Sequence, residues 1–114
     1  MILFDTSIIV ELLQKKEHQI GAISVITLIE VLRGLEAKKI LEIKELLEKS
    51  FDVLNIDNGV IQVYCKMYHE LKDNGTSIPD ADLLIAATAI SHNISMKTKD
   101  KHFERLKELG LNLA

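Results

Sequence analysis

Ile2-Leu3-Phe4-Asp5-Thr6-Ser7-Ile8-Ile9 is a short apolar run that stops on an acid and two hydroxyls, then resumes with Leu12 and Leu13 at helical intervals. That order of residues reads as strand, cap, helix. The same transition follows at Gly21-Ala22-Ile23, where Ser24 caps a helix whose apolar positions Val25, Leu28, Ile29, Leu32 and Leu35 recur with a period near 3.6. A third helix is expected over residues 39–49, with Leu and Ile on one face and Glu/Lys pairs on the other. Residues 51–56 read as a strand followed by turn chemistry at Asp57-Asn58-Gly59. An amphipathic helix over 60–74 closes at Gly75. Ser77-Ile78-Pro79-Asp80 opens a further helix to about His92, in which Ala86, Ala87 and Ala89 are small enough for close approach to a sheet. Residues 94–98 form a fourth strand, 102–109 a short helix, and Leu111-Asn112-Leu113 a last strand. Alternating strands and helices imply a parallel sheet with right-handed crossovers, covered on both faces.

One domain over residues 1–114 accounts for the chain, and at 114 residues it can bury about two-thirds of its unfolded surface. Aromatic residues are only 4% against a hydrophobic share of 47%, so aliphatic side chains and alanine must fill the core. The same scarcity argues against single-strand binding modules built on rows of aromatic side chains. Cys65 is a lone cysteine with no base beside it, which excludes an internal disulfide, a Cys-x-x-Cys metal site and a thiol nucleophile. Tyr64 and Tyr68, four apart, suit core or interface packing. The longest uncharged stretch, 83–96, is too short and too polar to span a membrane, and Asp5 spoils a signal-peptide start. A cytoplasmic, reducing setting is expected. The net charge of −3 gives no global pull on nucleic acid. Lys97, Lys99, Lys101, Arg105 and Lys107 nevertheless crowd one segment, either as a phosphate-steering patch or as a solvated helix face paired with Glu104 and Glu108.

Four acids sit where the chain changes element: Asp5, Glu30, Asp82 and Asp100. Asp5 alone could be an N-cap. Glu30 is the only charged residue between Ile20 and Leu32 and must reach either Arg33 or a cation, because an unpaired buried carboxylate is costly. Asp80 and Asp82 share the first turn of one helix, where negative charge is favoured; Asp80 is the better cap, which leaves Asp82 aimed along the core face. Acids at the C-terminal ends of parallel strands lie where open α/β sheets place their sites, and hard divalent ions prefer oxygen ligands. His18, His69, His92 and His102 share no spacing and sit among polar residues, so each reads as a surface or capping residue. No glycine-rich phosphate loop is present.

Phe4-Asp5-Thr6-Ser7, the segment Ser24 to Gly34 with Thr27, Glu30 and Arg33, Asp82-Leu83-Leu84-Ile85-Ala86-Ala87-Thr88-Ala89, and Thr98-Lys99-Asp100-Lys101-His102-Phe103 together resemble the PIN-domain ribonucleases, particularly the VapC-like toxins of type II toxin–antitoxin pairs. The resemblance spans nearly the whole chain. It implies a three-layer α/β/α fold with a central parallel sheet and an acidic pocket for Mg²⁺ or Mn²⁺ that hydrolyses RNA phosphodiesters. Asp5, Glu30, Asp82 and Asp100 match the acidic positions, with Asp5 and Asp82 as the main metal ligands. Thr6 and Thr98 match the hydroxyl-bearing supports, and Lys99 and Lys101 stand as RNA contacts. A cognate antitoxin and a homodimer follow from the same resemblance, with exposed aliphatic positions on the third and fourth helices as the dimer surface. Converging acids should repel, so the pocket is expected to be poorly formed without metal, and Asp5→Asn to leave stability equal or higher. Two other readings remain open: a PIN nuclease of RNA processing or decay, and a non-catalytic interaction module with the same fold.

Overall fold

The apolar run at the start of the chain becomes the central strand, β1 (Ile2–Phe4), flanked by β2 (Ala22–Ser24) and β4 (Ser95–Lys97), with β3 (Asp52–Leu54) beyond β2. All pairings are parallel, in the order β3-β2-β1-β4, and β1 matches β4 through Ile2↔Ser95, Leu3↔Met96 and Phe4↔Lys97. The computed structural model describes residues 1–114 and adds five α-helices, α1 (Thr6–Lys15), α2 (Val25–Arg33), α3 (Ala37–Ser50), α4 (Asn58–Asp73) and α5 (Asp80–Ser91), followed by a 3₁₀ helix, Lys101–Leu109. No helix is long and apolar enough to cross a membrane.

Strand alternation sorts the core into two layers. Phe4 and Ile23 point into a cluster with Ile8, Ile9 and Leu12 of α1, Leu28 and Val31 of α2, and Leu47 of α3. Leu3, Ala22 and Met96 point the other way, against α4, α5 and the 3₁₀ helix. The three-layer α/β/α arrangement follows directly from those opposite directions. Ala86, Ala87 and Ala89 are fully buried, so α5 lies close in the second layer. Gly21 enters β2 beneath the Phe4 ring, where a Cβ would meet that ring and come within 2.7 Å of the Ile2 carbonyl oxygen.

Three expectations are corrected. Leu111-Asn112-Leu113 is not a full strand: it adds one parallel bridge, Met96↔Leu113, to the outer edge of β4. Asp57 does not belong to a turn but caps α4, accepting from the Val60 N–H at 3.0 Å, so this helix starts at Asn58. Asp80 is not the cap of α5, because Pro79 holds that position; Asp80 instead accepts from the Tyr64 hydroxyl at 2.6 Å. That bond pushes the Tyr64 phenol up to about 12. Elsewhere the ends move by one to three residues, as with α3, which begins at Ala37 rather than Lys39.

Candidate active site

Parallel register decides which side chains meet. Phe4 is opposite Lys97, so the next residue on each strand, Asp5 and Thr98, emerge side by side at the C-terminal edge of the sheet. The Asp5 backbone N–H donates to the Lys97 carbonyl at 3.1 Å and fixes the alignment. Asp5 is only 4% exposed, and both oxygens of its carboxylate accept hydrogen bonds. One oxygen caps α1 by accepting from the Ile8 N–H at 3.2 Å and also accepts from the Ser7 hydroxyl at 2.6 Å. The other accepts from the Thr98 hydroxyl. Thr98 in turn accepts from the Asp100 N–H at 2.9 Å, so one threonine ties Asp5 to the Asp100 loop.

Glu30 reaches the site from the far end of α2, on the same face as buried Thr27, three residues earlier. The Thr6 hydroxyl donates to its carboxylate at 2.6 Å and lies 3.2 Å from the Thr27 hydroxyl, which is then left to donate to Thr6. The Arg33 guanidinium is 3.6 Å from the other Glu30 oxygen and mostly exposed, so the ion pair is weak. Of the partners weighed for Glu30 from the sequence, Arg33 takes one oxygen from the rim, while the other oxygen faces the Thr6 hydroxyl, which was not among them.

Asp82 sits in the first turn of α5 with about a quarter of its side chain exposed. Burial raises its pKa, the nearby Glu30 and Asp100 charges add to the rise, and His102 opposes it. His102 is the residue the sequence reading missed. Its Nε2 lies 2.9 Å from Asp82 Oδ2 and its Nδ1 2.9 Å from Asp100 Oδ1, so the ring bridges two of the four acids. The Asp100 carboxylate also accepts from the His102 backbone N–H at 3.2 Å, capping the 3₁₀ helix and presenting the ring toward α5. The spacing Asp100-x-His102 held part of this signal; the partner twenty positions earlier, Asp82, did not show in it.

Of the two lysines singled out, Lys99 pairs with Glu11 at 2.6 Å, and Lys15 holds the same carboxylate at 2.7 Å. Lys15 first and Lys99 second hold Glu11 down to about 2. Lys101 is exposed. The expected partners Glu104 and Glu108 do not make the pairing seen at Lys99.

The donor set fits a hard divalent ion by its chemistry, being carboxylates and hydroxyls, and Asp82 is raised by burial first, with the Glu30 and Asp100 charges adding to it. As arranged, no three carboxylate, imidazole or thiol groups surround a common point. Hydroxyls hold Asp5 and Glu30, and one imidazole lies between Asp82 and Asp100.

The comparisons agree with this geometry. The PIN domain family matches residues 2–109. Ribonuclease VapC1 of Methanocaldococcus jannaschii is 41% identical, over 98% of this chain and 85% of that protein. Among solved structures, VapBC-1 of nontypeable Haemophilus influenzae superposes with a TM-score of 0.84 at 26% identity, covering 100% of this chain and 97% of that one. VapBC2 of Rickettsia felis, bound to a DNA fragment from its promoter, gives 0.79 at 28% identity, covering 100% and 98%.

Proposed function

This chain belongs to the PIN-domain family, and from that premise we propose that it is an endoribonuclease, dependent on Mg²⁺ or Mn²⁺, and the toxin of a VapBC-like type II toxin–antitoxin pair. The observation that carries the reading is the linked set at the sheet's C-terminal edge: Glu30 on Thr6, Asp5 on Thr98, and Asp82 joined to Asp100 through His102. A relative named as a ribonuclease and neighbours solved as VapBC assemblies support it.

Asp5 and Asp82 would be the main metal ligands, with Glu30 and Asp100 completing the shell or orienting the attacking water. A bound divalent ion would supply Lewis-acid charge that lowers the pKa of a water and offsets charge on the leaving oxygen. The hydroxyls of Thr98 and Thr6 hold Asp5 and Glu30 in their rotamers, the outer support that metal carboxylates need. Lys101 would meet the RNA backbone directly, while Lys99 is held back by Glu11 until a phosphate competes for it. A cytoplasmic protein with a cognate antitoxin and a second copy of itself as partners completes the proposal.

Cleavage of end-labelled structured RNA tests it, run with Mn²⁺, with EDTA, and with Asp5→Asn beside the wild type. Scission that needs both the metal and Asp5 is expected. Scission that survives EDTA, or is equal in the variant, would remove the proposal.

A further inference from the structure

We propose that His102 is a positioning residue whose imidazole closes the acid pocket between Asp82 and Asp100, and that this ring must swing out before the two carboxylates can hold a divalent ion. This rests on the metal-dependent reading above and goes beyond it by assigning the first event at the site to a side chain of this protein. The ring meets a different carboxylate at each nitrogen, both at 2.9 Å, so both acids are turned toward it. In this arrangement no three candidate ligands converge on one point.

The remaining acids are held by groups not bonded to the ring, Asp5 by Thr98 and Ser7 and Glu30 by Thr6. Removing the ring therefore frees Asp82 and Asp100 without dismantling the other half of the pocket. His102 has room to leave: its side chain is about 30% exposed, whereas Phe103, next in sequence, is buried and pins the backbone beneath it. The ring thus moves by side-chain rotation while the 3₁₀ helix stays docked. Two carboxylates that would otherwise face each other across the pocket are kept apart from mutual repulsion by the same imidazole, which ties metal-free stability to metal affinity with opposite signs.

The test uses the purified chain without RNA. Thermal melting across a Mn²⁺ titration is compared for the wild type, His102→Gln and His102→Ala, with circular dichroism to establish folding. Both variants should melt lower than the wild type without metal and reach half of their Mn²⁺-induced stabilisation at about tenfold lower Mn²⁺. An unchanged or higher Mn²⁺ requirement in the variants, with the wild type still stabilised, would overturn the latch and leave the metal reading intact. Absence of any Mn²⁺ effect on wild type and variants alike would remove the metal reading, and the latch with it. If neither variant folds, the wild type decides by NMR. Sequentially assigned His102 ring signals should move on saturation with Mg²⁺, and signals that stay in place would overturn the proposal.

Discussion

Asp5 caps a helix, binds a neighbouring strand's threonine and offers charge to the pocket, and a single substitution separates these roles. Asp5→Asn keeps an oxygen for Ile8 and Ser7 but places an amide N–H₂ against Thr98, whose hydroxyl loses its acceptor. The expected cost is about 0.5–1.5 kcal/mol of stability, with cleavage falling to background. The gain in stability anticipated from relieved repulsion is outweighed, because the sequence could not show how many donors this carboxylate satisfies. Urea denaturation alongside the RNA assay separates the two effects. Thr98→Val is sharper: it strands a buried acceptor and should cost about 1–3 kcal/mol, with activity lower by about 10–100-fold, and Thr98→Ser should restore both. Among the acids, Asp5, Glu30, Asp82 and Asp100 were legible because each interrupts an apolar pattern or ends one. His102 was not, since its meaning lies in a contact across twenty residues with no period to betray it.

At the level of elements, the loop after β4 is fastened to α1 by Lys99 on Glu11 and by the Lys99 N–H on the Ser7 hydroxyl at 3.3 Å. Glu11 has a lowered folded-state pKa, so its contribution to stability is fully present above the ordinary value of 4.5 and is lost as pH falls toward about 2. Glu11→Gln should therefore flatten the fall in urea midpoint across that interval, and an unaltered profile would show that the clasp contributes nothing to acid resistance. In RNA binding at varied salt, Lys101→Ala should lower the slope of log affinity against log salt by about 0.7. Lys99→Ala should do less, because its ammonium already has a partner. Helices were the most readable elements, since apolar side chains at regular intervals outvote local ambiguity in α1, α2 and α4. Strands of three residues carry too few positions to fix their ends, and Leu111-Asn112-Leu113, which alternates like a strand after Gly110, makes only the one bridge to Met96.

Across the whole molecule, the sheet separates the two helical faces on which exposed apolar residues were expected to form one dimer surface. Leu41 and Leu46 lie on α3, on the side of Phe4 and Ile23; Ile61 and Tyr68 lie on α4, on the side of Leu3 and Met96. We propose that the two-fold contact uses the α4 face, where Tyr68 stacks with Tyr64 at a centroid distance of 6.1 Å. Sedimentation should give twice 12.9 kDa for the wild type and the monomer for Tyr68→Glu, and a Tyr68→Glu dimer would move the contact elsewhere. The strand order has a consequence in time rather than space. β1 is made long before one of its two neighbours, residues 95–97, and the proposed pocket draws on positions 5, 30, 82 and 100. A ribosome that has reached only α5 holds a chain whose middle strand lacks a flank and whose threonine for Asp5 does not yet exist. Such late, distant pairing is slow to form. Until residues 95–100 emerge, the nascent domain is harmless, and the capacity to cut then arrives in one step.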